Sequence, residues 1–218
     1  MDKYTKYIFD LDYTLLNPDW SKEDDYFKKH IPLEQQEAFF KQKQDILYEY
    51  ERSHDKYDPK MLSAFFLEKG FTVTEDVING WLNHNGKTIE DVVVDGVIEL
   101  LEHLKTKGKK IIILTNWFRI TQIQRIKRAG LYDYIDEIVT GEEAMKPTLK
   151  SFELAIGDTP KTECLMVGDS VTSDKAGAEN AGIDCYLVTA QGNSIKNLFN
   201  MITKGGQARV KRPELPET

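Results

Sequence analysis

The chain has 218 residues, 40% hydrophobic and 30% charged, with a formal net charge of −7. That balance supports a folded globular protein with a hydrophobic core, and excludes a disordered chain and a broad basic nucleic-acid surface. No apolar run approaches the ~20 residues of a bilayer span.

Residues Tyr7-Ile8-Phe9 read as a short apolar strand that ends at Asp10. Residues 17–92 are rich in Glu, Lys, Gln, Phe and Tyr. Their helical patterns, such as Leu33-Gln36-Phe40 and Met61-Ala64-Phe65-Glu68, predict an inserted α-helical cap domain with no strand inside it. Phe39, Phe40, Phe65 and Phe66 read as its core. Gly96 to Lys107 predicts a helix with Val97, Leu100, Leu101 and Leu104 on one face, closed at Gly108. Lys110 to Leu114 is an apolar strand running into Thr115-Asn116, followed by a helix from Arg119 to Ala129 with Ile120, Ile123 and Ile126 at spacing three. Glu137 to Thr140 is a weaker strand. Cys164 to Gly168 is a strong one leading to Asp169, then a helix from Ser173 to Ala181 ends at Gly182, and Asp184 to Val188 is the last strand.

Continuous rather than alternating apolar strands belong to a parallel sheet covered on both faces. The expected fold is therefore α/β, a Rossmann-like three-layer sandwich with a parallel sheet plus the inserted helical cap. Residues 1–16 and 93–204 form the catalytic core, 17–92 the cap, and 205–218 a flexible C-terminal tail broken by Gly205-Gly206, Pro213 and Pro216. The two cysteines, Cys164 and Cys185, have no CxxC spacing and no nearby His. With no leader-like segment at the N-terminus, they fit reducing cytoplasm.

The acidic residues fall at strand ends: Asp10 and Asp12 after the first, Asp169 and Asp174 after the fourth, with Thr115 and Asn116 closing the second. In a parallel sheet these ends share one edge, where open α/β folds bind ligands. Carboxylates gathered there repel one another and need a cation. Oxygen-only ligands suit a hard ion, and Mg²⁺ is the expected cofactor. One carboxylate, Asp10, can attack phosphorus while Asp12 protonates the leaving oxygen. Lys146, before Pro147, supplies balancing positive charge, and the Thr115 hydroxyl can hold a phosphate oxygen. Taken singly, Asp174 also fits a helix N-cap, Lys146 a surface lysine and Asn116 a strand terminator.

Taken in order, Asp10-x-Asp12-x-Thr14, Thr115 after an apolar strand, Lys146-Pro147 and Gly168-Asp169-x-x-x-x-Asp174 resemble the haloacid dehalogenase superfamily of phosphohydrolases. The resemblance covers residues 4–16 and 93–192. It implies Asp10 as nucleophile and metal ligand, and Asp12 as general acid and base with its main-chain carbonyl on Mg²⁺. It makes Asp169 a direct ligand and Asp174 an outer ligand or a partner of Lys146. Tyr13 departs from the small or acidic residue of many relatives. Asp12 argues against dehalogenation, which has no leaving oxygen to protonate.

The expected activity is Mg²⁺-dependent hydrolysis of a small soluble phosphomonoester through an aspartyl-phosphate, with a nucleoside monophosphate as one candidate substrate. A phosphoglycolate or sugar-phosphate phosphatase, or a phosphomutase on the same core, are the alternatives. Thr14, Asn116, Trp117 and Arg119 are candidate substrate-binding residues. Trp117 either stacks on a planar leaving group or packs under the cap. Arg52, His54 and Lys56 form either a substrate-binding patch or a solvated helix face. No nucleic-acid polymer or membrane partner is expected, and a monomer or homodimer is.

Overall fold

The computed structural model describes residues 3–189 and 192–204; the expected tail, with Arg209, Lys211 and Arg212, lies outside them. Five parallel strands form the central sheet: β1 (Lys6–Phe9), β4 (Lys110–Leu114), β5 (Glu137–Val139), β6 (Cys164–Gly168) and β7 (Asp184–Leu187). Their order is β5-β4-β1-β6-β7, with Phe9 level with Ile113 on one side and Val167 on the other. The chain fills one side of β1 before crossing to the other, so β1 is the point where strand order reverses. Ligand crevices of open α/β sheets form at that point.

Side chains alternate across the sheet. Tyr7, Phe9, Ile111, Ile113, Leu165 and Val167 join a core with Leu100, Leu101 and Leu104 of α5 (Val97–Thr106) and Leu198 of α9 (Ile195–Thr203). Ile8, Ile112, Leu114 and Met166 pack instead with Phe152 and Ala155 of α7 (Leu149–Ile156) and with Ala178 and Ala181 of α8 (Ala176–Ala181). Both faces are covered, which accounts for the uninterrupted apolar strands. Cys164 is buried and Cys185 half-buried, both as free thiols.

Residues 17–92 differ from the expectation in one respect. β2 (Leu16–Asp19) and β3 (Glu90–Val93) pair antiparallel, Leu16 opposite Val93 and Asp19 opposite Glu90. The ribbon is short and bears Pro18, so it lacks the apolar alternation that marks a strand in sequence. Four helices lie between its strands: α1 (Phe27–His30), α2 (Leu33–Ser53), α3 (Pro59–Glu68) and α4 (Glu75–Thr88). Asp58 caps α3 and Thr74 caps α4. Their core is aromatic, with Phe27 stacked on Trp81 at 4.5 Å and edge-on to Phe39 at 5.1 Å. Phe39, Phe65 and Phe66 are buried and Phe40 packs beside them. No helix among the described residues is long and apolar enough to cross a membrane.

The helix after β4, α6 (Arg119–Arg128), turns a different face inward from the one its isoleucine spacing suggests. Ile120 is 45% exposed, whereas Thr121, Gln122, Arg125 and Ile126 are fully buried. Polar partners beneath the helix, described below, are what make that face the buried one.

Candidate active site

Asp10 is the first residue past β1, its N–H donating to Val167 O at 2.9 Å as if the strand continued. Lys146 Nζ lies 2.5 Å from Asp10 Oδ1 and 2.6 Å from Asp174 Oδ1, and all three side chains are almost wholly buried. Asp174 sits in a single π turn, Val171–Lys175, whose N-cap is Ser170, so the N-cap reading of Asp174 does not hold. Instead its Oδ2 accepts from Ser170 N–H at 3.0 Å. Gly168 makes this possible: a Cβ there would fall 2.3 Å from Asp174 Oδ2. π turns recur at functional sites because they re-aim a side chain.

Asp10, Asp169 and Asp174 bring carboxylate oxygens within 4.8 Å of one another. Burial pushes the Asp10 carboxyl well up; Lys146 opposes that shift and Asp174 adds to it. Asp169 is raised by burial and then by Asp174. Burial alone would lower Lys146, but the carboxylates of Asp10 and Asp174 outweigh it and raise the ammonium's pKa. One lysine thus faces more buried negative charge than it can balance. An all-oxygen set in that condition fits a hard divalent cation. Asp12 contributes no carboxylate to the cluster, so any part it takes in holding a metal falls to its main-chain carbonyl.

The Asp12 side chain points elsewhere. Arg125 Nη2 donates to its Oδ1 at 2.5 Å and Gln122 Nε2 to its Oδ2 at 3.2 Å. Gln122 also donates to Thr115 Oγ1 at 2.9 Å, and Arg125 Nη1 to Gln122 Oε1 at 2.8 Å. Gln122 and Arg125, fully buried and bonded to Asp12 and Thr115, belong to the candidate site but do not stand out in the sequence. Their signal is weak: two polar residues three apart on the helix, on the face that also carries Ile126.

The substrate-binding candidates separate. Asn116 lines the pocket, but its amide is spent on the backbone of Lys146: Lys146 N–H donates to Oδ1 at 2.8 Å and Nδ2 donates to Lys146 O at 3.3 Å. The amide thus holds the backbone of Lys146, next to the cis Lys146-Pro147 bond. Thr14 is fully buried, with an unpartnered hydroxyl, and does not line the pocket. Arg119 is held by Glu143 at 2.7 Å and Ile138 O at 2.9 Å, away from the lining. Trp117 does line the pocket, but its ring meets Tyr57, Trp81 and Phe118 edge-on at 5.2, 5.3 and 5.6 Å. Its backbone is left-handed (φ 90°) and lies against Gly141, where a Cβ would come within 2.9 Å of Trp117 N. Arg52, His54 and Lys56 are absent from the lining, and His54 stacks on Tyr50 at 4.0 Å. Tyr13, half exposed at the pocket, accepts from Trp20 Nε1 at 3.1 Å.

The pocket holds about 560 Å³. Asp10, Asp12, Thr115, Lys146, Asp169 and Asp174 line one side and residues of α2 and the turn before α1 line the other. A carboxylate at the switch point of a parallel sheet, with a buried lysine and an acidic triad, is the arrangement expected of a haloacid dehalogenase-like phosphohydrolase. In agreement, residues 7–182 match the haloacid dehalogenase-like hydrolase family, and the chain belongs to it. The expected enzyme class, a phosphoric monoester hydrolase, stands.

Among curated relatives, glyceraldehyde 3-phosphate phosphatase of Methanothermobacter thermautotrophicus is 29% identical over 74% of this chain and 72% of that protein. Pyrimidine 5′-nucleotidase YjjG of Escherichia coli is 40% identical over 42% of this chain and 43% of that protein. Phosphoglycolate phosphatase of Caulobacter vibrioides is 30% identical over 46% and 44%. With the last two, the match thus spans less than half of the relative. The fold is that of the magnesium-bound HAD-hydrolase YfnB of Bacillus subtilis, with a TM-score of 0.61 and 21% identity over 92% of this chain and 99% of that one. CbbY of Rhodobacter sphaeroides, solved with phosphate, gives 0.64 at 17% identity over 89% and 96%.

Proposed function

We propose that this chain is a Mg²⁺-dependent phosphatase of small phosphomonoesters that works through an aspartyl-phosphate on Asp10. The observation that carries the proposal is Lys146 Nζ within 2.6 Å of both Asp10 and Asp174, beside Asp169, at the end of β1. Asp10, Asp169 and Asp174 would hold the metal, which supplies charge stabilisation to the transferring phosphoryl group. Asp10 attacks phosphorus, and the ester oxygen departs as an alcohol carrying a proton from Asp12. Asp12 then takes a proton from water, whose oxygen attacks the acyl phosphate, releasing inorganic phosphate and restoring Asp10. Both Asp12 oxygens accept donors here, and the Gln122 contact to Oδ2 is the longer. Oδ2 is therefore the oxygen we assign to proton exchange.

Lys146 offsets charge on the phosphoryl oxygens, and Thr115, whose Oγ1 accepts from Gln122 and whose hydroxyl donates to Asn116 O at 3.0 Å, would turn that hydroxyl to one of them. Asp12 in the pocket supports ester hydrolysis over dehalogenation. The names of the relatives support small phosphate esters as substrates: a sugar phosphate, a nucleotide and phosphoglycolate. The test is release of inorganic phosphate from a panel of monoesters with and without Mg²⁺. Turnover that needs the metal supports the proposal, and isomerised sugar phosphate without free phosphate would identify a mutase instead.

A further inference from the structure

The half of the pocket that faces the phosphoryl site is built from a single stripe of α2. Gln44, Leu47, Tyr48 and Glu51, at i, i+3, i+4 and i+7, lie on one side of the helix, joined by Trp20 and Glu23 from the preceding turn. Among the described residues, the pocket's lining contains one cation, Lys146, and it is already shared between Asp10 and Asp174. The side opposite the phosphoryl site thus offers an amide, a phenol, an indole and two carboxylates, and no positive charge.

The two carboxylates are not equivalent. Glu23 is neutralised by the buried Lys43, 2.8 Å away, which also pairs with Asp24 at 2.5 Å. Among the described residues, Glu51 has no ion pair. Its Oε1 accepts from the buried Tyr57 hydroxyl, and Oε2 has no partner among the described residues. Burial and then the Glu51 carboxylate push the Tyr57 phenol up, so Tyr57 remains a donor to Glu51. Tyr57 is in turn fixed to the core, its N–H donating to Gly141 O at 2.7 Å. Glu51 is therefore a fixed, half-buried acceptor in the pocket that also holds Asp10 and Lys146.

We infer that Glu51, with Gln44 and Tyr48, selects a phosphomonoester whose leaving group is uncharged and rich in hydroxyl donors, and rejects leaving groups that carry a carboxylate or a second phosphate. This rests on the phosphatase reading above. The physical reason is one-sided: a hydroxyl of the leaving group satisfies Glu51 Oε2, while an anionic leaving group meets a like charge that no cation on that side of the pocket's lining offsets. Polyol and nucleoside monophosphates fit. Phosphoglycolate and sugar bisphosphates do not.

The test compares kcat/KM for glycerol 3-phosphate and phosphoglycolate, esters of similar size, in the full chain with Mg²⁺. The ratio should favour glycerol 3-phosphate by about tenfold or more. Glu51→Lys should shrink that ratio by about tenfold, and Glu51→Gln, which keeps the Tyr57 contact, by a smaller factor in the same direction. A ratio is read within each variant, so partial loss of folded protein does not alter it. Phosphoglycolate turned over as well as glycerol 3-phosphate, or a ratio unchanged in both variants, overturns the inference while leaving the phosphatase reading intact. If no ester is turned over, the phosphatase reading fails, and selection is still read as thermal stabilisation of Asp10→Asn by each ester. Greater stabilisation by glycerol 3-phosphate than by phosphoglycolate, reversed by adding Glu51→Lys, supports it, and equal or opposite stabilisation overturns it.

Discussion

Asp12 and Asp91 share one guanidinium: Arg125 Nη2 lies 2.5 Å from Asp12 Oδ1 and 2.6 Å from Asp91 Oδ1. Asp91 belongs to β3, the strand on which the chain returns from the cap helices, and Asp12 is the proposed acid and base. The position of the catalytic carboxylate is thereby tied to the ribbon that carries the cap. Arg125→Met leaves the Asp91 carboxylate, 2% exposed, without its main partner. Removing one member of such a buried pair costs about 3–5 kcal/mol, so denaturant unfolding should show a loss of that size together with reduced turnover. Arg125→Lys should not restore it, because Nε and Nη2 grip Asp91 together and an ammonium cannot.

Asn116 holds both the N–H and the carbonyl of Lys146. Asn116→Ala should lower kcat by roughly 10- to 100-fold through misplacement of the lysine, with KM changed less. A rise in KM at constant kcat would return Asn116 to substrate binding.

Trp117 is gripped edge-on by rings from the cap and from its own loop, which favours scaffold over stacking. Trp117→Ala should cost ~3 kcal/mol of stability and reduce kcat/KM for a nucleoside monophosphate and for glycerol 3-phosphate by similar factors. A loss confined to the nucleotide, of about 5- to 150-fold, would instead assign it a base-stacking role.

The Glu51 carboxyl is raised by burial, with the Tyr57 hydrogen bond and Arg52 only partly opposing the shift. A carboxyl raised on folding binds more protons in the native state, so stability declines as pH rises from its ordinary value of 4.5 through the raised one. Glu51→Gln removes that decline. The variant's Tm relative to wild type should be higher at pH 8 than at pH 4. A difference independent of pH would show that Glu51 is not desolvated.

Strand-end chemistry was legible because it is local. Asp10, Thr115 and Asp169 each follow an apolar run directly, and a parallel sheet sends all such ends to one edge. Lys146 and Asp174 were legible only through their order along the chain. The contacts that hold the site together were not. The β2–β3 ribbon pairs residues more than seventy positions apart through a segment bearing Pro18, and nothing in either strand alone signals the partner. The isoleucines of α6 suggested an apolar face, but the helix buries Gln122 and Arg125 because Asp12, Thr115 and Asp91 wait beneath it. On α2, helicity was evident, yet the stripe that faces the site is fixed by how the helix packs, so Glu51 passed unnoticed while the nearby His54 drew attention.

The central claim is that Asp10 is the nucleophile of a metal-dependent phosphatase. It is tested most directly by inorganic phosphate release from glycerol 3-phosphate, comparing wild type and Asp10→Asn at saturating Mg²⁺. Asn keeps the size and one acceptor of Asp but cannot form the acyl phosphate. Turnover should fall ~10³-fold or more while the circular dichroism spectrum and cooperative unfolding persist. Turnover by Asp10→Asn within tenfold of wild type, in protein free of contaminating phosphatase, would contradict the account.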